Sequence, residues 1–177
     1  MQSYDALRRI IYGMVLGYPL LSPPLNAANI TSTQFTITGI LEAKTCSFTE
    51  TSFSVTLPEV DTRSLNNSNS IQGSTFVPLS FNCSGGVTSL SIKPYGTAVL
   101  TGDKTLFLNT NSAKNVGLRL LDKYGNILTP DGQTEVTFDY LGSGDKYTFT
   151  AGYAATGSGR VSGGGFQSMV TFTMTYN

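Results

Sequence analysis

From residue 35 onward, apolar and polar residues alternate with a period of two in one short run after another. Phe35-Thr36-Ile37-Thr38-Gly39-Ile40-Leu41 sets threonines against apolar side chains, and Phe53-Ser54-Val55-Thr56-Leu57 repeats the pattern until Pro58 stops it. Such alternation places every second side chain on one face of an extended chain, as in a half-buried strand. The same reading predicts strands over 76–83, 87–92, 105–108, 116–121, 135–140, 146–153 and 169–176. In the last of these, Val170, Phe172, Met174 and Tyr176 share one face, and Thr171, Thr173 and Thr175 share the other. Turn residues separate the runs: Asn66-Asn67-Ser68-Asn69, Ser84-Gly85-Gly86, Thr101-Gly102-Asp103, Tyr124-Gly125-Asn126 and Asp131-Gly132. No window carries an apolar stripe of helical period and length. Short strands with turn chemistry about every ten residues predict an all-β antiparallel sandwich, with loops over 61–73 and 156–165.

Residues 1–28 follow a different pattern. Arg8 and Arg9 precede an apolar run from Ile10 to Leu21, Pro23 and Pro24 then break any helix, and Ala27-Ala28 supplies small residues. That order is the pattern of a cleaved secretory signal peptide, and the run falls well short of the ~20 residues that a bilayer span needs. Removing 28 of the 177 residues takes away Arg8, Arg9 and Asp5, and leaves 149 residues with a net charge of −1. The exported part keeps both cysteines, Cys46 and Cys83. An even count in an exported chain predicts one disulfide between them. Closing that loop would stabilise the fold by about 4 kcal/mol in the chain-entropy view.

Composition narrows the chemistry. Charged residues make up 12% of the chain, with 11 basic against 11 acidic, and there is no His. A neutral chain this poor in cations has no footprint for a phosphate backbone, so nucleic acid is a poor candidate partner. Lys104, Lys114 and Lys123 are expected to be solvated. Without His, the usual general base and metal ligand are missing, and two cysteines alone cannot complete a zinc site. Gly157-Ser158-Gly159-Arg160 lacks the Lys-Ser/Thr that closes a phosphate loop, and the Asp131 turn has too few oxygen ligands nearby for calcium. Serine and threonine are plentiful but have no base beside them, so no catalytic residue, metal or cofactor is expected.

The stretch from Phe35 through Gly39 to Cys46 resembles the start of chaperone–usher pilins of the type 1 fimbrial kind, in which an alternating arm with a glycine runs into the first strand and its cysteine. The likeness continues through Gly73-Ser-Thr-Phe76-Val-Pro-Leu-Ser-Phe-Asn-Cys83, through Asn115-Val-Gly117-Leu-Arg-Leu-Leu-Asp122 with Gly125-Asn126, and through Tyr147-Thr-Phe149-Thr-Ala151-Gly-Tyr153. Gly164 and the C-terminal strand with penultimate Tyr176 complete it. The resemblance implies an incomplete immunoglobulin-like sandwich that lacks its seventh strand and is completed by a donor strand. It divides the chain into a signal peptide (1–28), a donor-strand arm (29–39) and a pilin domain (40–177). Thr31, Thr33, Phe35, Ile37, Gly39 and Leu41 would form the donor face, although Thr31 and Thr33 are weak as apolar anchors. Gly164, Val170, Phe172, Met174 and Tyr176 would belong to the strand that meets a periplasmic chaperone and borders the groove. The implied function is a structural subunit of a surface fimbria that supports cell adhesion. Its implied partners are the chaperone, an outer-membrane usher and neighbouring pilin subunits, and it names no host receptor.

Two other readings stay open from the residues alone. The arm could be the first edge strand of a complete sandwich. The whole could also be an exported carbohydrate-binding module, which a glycan array on the purified domain would reveal.

Overall fold

The computed structural model describes residues 34–65 and 70–177. The leader expected over 1–28, Thr31 and Thr33 of the arm, and the turn expected at 66–69 lie outside the described residues. The chain divides into two units, Met1–Gly39 and Ile40–Asn177. In the first, residues 34–39 join no ladder, and Phe35 and Ile37 are 78% and 82% exposed. The alternation that predicts a strand over 35–41 is present, but a strand exists only where another backbone takes up its amides and carbonyls. Ile40 and Leu41, which open the second unit, are also exposed.

The second unit contains nine strands among its described residues: β1 (Thr45–Phe48), β2 (Gln72–Ser84), β3 (Ser89–Tyr95), β4 (Phe107–Leu108), β5 (Val116–Leu121), β6 (Ile127–Leu128), β7 (Val136–Asp139), β8 (Lys146–Ala155) and β9 (Thr171–Tyr176). One sheet runs β1-β2-β8-β5-β4, with β6 pairing the C-terminal half of β5, and the other runs β7-β3-β9. Every pairing is antiparallel. The helical content of the described residues is a single short 3-10 turn at Thr62–Ser64, where the Asp61 carboxylate accepts from the Arg63 amide.

Period-two patterning explains the core. Val77, Leu79 and Phe81 of β2, Tyr147, Phe149 and Ala151 of β8, and Leu118 and Leu120 of β5 turn inward. They meet Leu90 and Ile92 of β3, Val136 of β7, and the partly buried Phe172 and Met174 of β9. Aromatic rings run through this core from Phe81 to Phe138, Tyr147, Phe149 and Phe172, with centroids 4.8 to 5.6 Å apart. The loop over 97–106 covers the outer face of β5 and β8, where Val99, Leu106 and Ala154 are buried together.

The expected strand over 53–57 does not form. Cys46 and Cys83 are register partners in the β1–β2 ladder, which continues as far as the Thr49 amide bonding to the Ser80 carbonyl. The next β2 residue facing that side is Pro78, which has no N–H to offer. Past Pro78 the chain leaves β2, and a cleft lined by Phe53, Ser54, Val55, Pro78 and Ser80 separates the two.

Candidate functional site

The departure of residues 50–57 from β2 opens a groove of about 760 Å³. Residues 50–57 form one wall and 166–172 the other. Val77, Leu79, Leu118, Leu120 and Ala151 lie along its floor, and Tyr153 is among its lining residues. The floor is therefore the interior face of β2, β5 and β8, which a complete sandwich would seal with one more strand.

The second wall continues into β9, the edge strand of its sheet among the described residues. Asn177 both donates to Ser89 and accepts from Thr88, so the odd-numbered residues direct their backbone groups towards β3. Gln167 likewise accepts from the Thr110 amide and donates to the Asn109 side chain. Alternation along an extended chain then turns the amides and carbonyls of the even-numbered residues towards the groove side. A row of backbone donors and acceptors beside an apolar floor is a template for strand addition.

The expected site residues fall in several places. Val170 and Phe172 line the groove; Met174 packs against the main core beyond it, and Tyr176 stands opposite Leu90 with its ring partly exposed. Gly164 lies outside β9 and outside the groove lining. A Cβ there would come within 2.7 Å of the Ala113 nitrogen and the Ser112 hydroxyl, so this glycine serves the packing of the 156–165 loop on the 112–113 turn. Cys46 and Cys83 are joined as a disulfide that ties β1 to β2, and the Tyr140 hydroxyl accepts from the Cys83 amide. Phe35, Ile37, Gly39 and Leu41 are exposed.

Three features were not singled out from the sequence. The 50–57 wall is one, because its apolar alternation looks like any strand. Ser168, inside the other wall, is the second. The third is a polar cluster under the 97–106 loop. There the buried Arg119 guanidinium of β5 bonds to the Asp103 carboxylate at 2.6 Å and to the Thr105 hydroxyl, while Asp103 also accepts from the Thr105 amide and hydroxyl. Burial pushes the Asp103 carboxyl up, but the bonds from Thr105 and Arg119 outweigh it and hold it below its ordinary value. Asp122 behaves alike: burial raises it, and donors from Asn126, Tyr124 and Gly125 more than offset that. Lys104, expected to be solvated, is exposed, and its ammonium also caps the Val99 and Leu100 carbonyls. Among the described residues no group of His, Cys, Asp and Glu is placed to hold a metal ion.

A two-sheet antiparallel fold with one uncovered edge over an apolar groove defines the class: an incomplete immunoglobulin-like sandwich. The chain belongs to the fimbrial protein family, whose pattern matches it over residues 32–177. Among solved structures it is similar to the P pilus rod subunit PapA, at 16% identity and TM-score 0.63, covering 75% of this chain and 99% of that one. It is similar to a type I fimbria protein and antigen of Burkholderia pseudomallei at 24% identity and TM-score 0.53, covering 76% and 100%. A subunit from a chaperone–usher pilus structure aligns at 18% identity and TM-score 0.57, covering 83% and 96%. No curated protein sequence matches it significantly.

Proposed function

We propose that this chain is a structural subunit of a bacterial surface fimbria, assembled by strand donation along the chaperone–usher route and supporting cell adhesion. The observation that carries this reading is the groove itself, where the interior face of β2, β5 and β8 lies beside the open edge of β9. An added strand would draw affinity from main-chain hydrogen bonds and specificity from side chains set into the floor, a mode of recognition of which chaperone–pilin pairing is an established example. In the periplasm a chaperone would supply the strand, and at the outer-membrane usher the arm of a neighbouring subunit would replace it. The arm, 29–39, is the part this chain would give in return. The role is one of scaffolding, not catalysis.

Deleting 29–39 tests the reading. The expected result is a subunit that still co-purifies with its periplasmic chaperone yet cannot donate a strand to a neighbouring subunit, so that surface fibres seen by immunogold labelling are lost or shortened. Normal incorporation of the deleted chain into fibres would overturn the reading.

A further inference from the structure

The cleft between β2 and residues 53–55 is a second cavity, of about 340 Å³. Residues 53–55 border both cavities, but Pro78 and Ser80 line the cleft and not the groove, while 166–172 line the groove and not the cleft. Its volume lies at the lower end of the range for small-molecule sites.

The cleft walls are mostly apolar, and their polar groups lean one way. Phe48, Phe53, Val55, Pro78 and Leu79 supply the apolar lining. The Phe48 ring is held against Phe81, with centroids 5.8 Å apart, whereas Phe53 is 41% exposed. Even-numbered residues of β2 turn their backbone groups towards this side, as the Ser80 carbonyl does in accepting from the Thr49 amide. At Pro78 the wall therefore presents a carbonyl and no N–H. The charged residue of the lining is Glu50, and no basic side chain belongs to it. A carboxylate and a backbone carbonyl beside two aromatic rings suit a positive charge, because both oxygens accept hydrogen bonds and the ring faces attract cations.

We infer that this cleft binds a small organic cation, an ammonium group carried on an aromatic or branched apolar body. The ammonium pairs with the Glu50 carboxylate and donates to the Pro78 carbonyl. The body fills the space between the Phe48 and Phe53 rings, Val55 and Leu79. An anion of the same shape is repelled by Glu50. The site goes beyond the fimbrial reading and does not depend on it.

Phenethylamine, titrated into the isotope-labelled chain and followed by amide chemical shifts, tests the site. The probe is expected to move the amides of Phe53, Ser54, Leu79 and Ser80 and to leave those of Gln167 and Val170 in place. A Kd of about 1 mM is the strength that so small a ligand reaches. Glu50 is exposed, so Glu50→Gln should leave the melting temperature of the free chain unchanged. It should weaken binding by about 10-fold, the worth of a charge-assisted hydrogen bond. Phe53→Ala should weaken it by about 3-fold, and Pro78→Thr, which lets 51–55 close on the sheet, should remove it. Phenethyl alcohol and phenylacetate keep the body without the cation and should bind at least about 10-fold more weakly. Equal binding of phenylacetate, equal binding by the Glu50→Gln chain, or shifts over 167–170 in place of 79–80 would overturn the inference. So would the absence of any shift at about ten times the expected Kd.

Discussion

At the scale of single residues, the Asp103–Arg119 pair shows how a charge is tolerated in the middle of a central strand. The Arg119 side chain is 4% exposed and that of Asp103 24%. Removing the carboxylate leaves the Arg119 charge buried without its counter-ion. Asp103→Asn should therefore cost about 3 kcal/mol, the lower end for a broken buried pair because Asp103 keeps some solvent; a urea midpoint measures it. Folding holds the carboxyls of Asp103 and Asp122 below their ordinary value. Their contribution is complete above the unfolded-state value and is lost as pH falls through the lower folded-state value. The urea midpoint should thus fall on acidification below the ordinary carboxylate range, and less steeply in Asp103→Asn. Gly102 supports the same loop: its φ is +81°, and a Cβ would come within 2.0 Å of the Thr156 carbonyl oxygen.

At the scale of elements, β9 has two unlike faces. Phe172 stacks on Phe149 with centroids 4.9 Å apart, while Thr173 faces away and is exposed. Phe172→Ala should destabilise by about 3 kcal/mol, and Thr173→Ala should stay within about 0.5 kcal/mol, both read from urea midpoints. Pro78 offers a second test. Pro78→Thr restores a backbone donor on the β1 side of β2, and amide exchange over 51–55 should slow as that segment closes on the sheet. Much of this level was legible in the sequence. The alternation in 76–83, 116–121 and 146–153 marks strands that β2, β5 and β8 contain, and that in 169–176 a strand whose last six residues are β9, because each has neighbours against which to bury its apolar side chains. The same alternation over 53–57 misleads, since whether a ladder forms there is decided by a proline on another strand. β6 was missed because two residues carry no period. Ser168 was not legible either: its hydroxyl is buried with no hydrogen-bond partner in the chain, which a serine in a run of mixed polarity does not announce.

At the scale of the whole molecule, the proposed donation of one subunit's arm to the groove of the next would make a head-to-tail joint, and such joints propagate into open filaments unless their rotation closes a ring. Under tension applied at the arm, force enters the sandwich through residues 40–44 and reaches Cys46 at the beginning of β1. The bond to Cys83 passes it directly to β2, which β8 holds from Gln72 to Ser80. β1 therefore cannot be peeled away one hydrogen bond at a time. The disulfide is a mechanical clasp as well as a brake on unfolding, and its reduction should lower the rupture force of a chain pulled from its N-terminal end in optical tweezers.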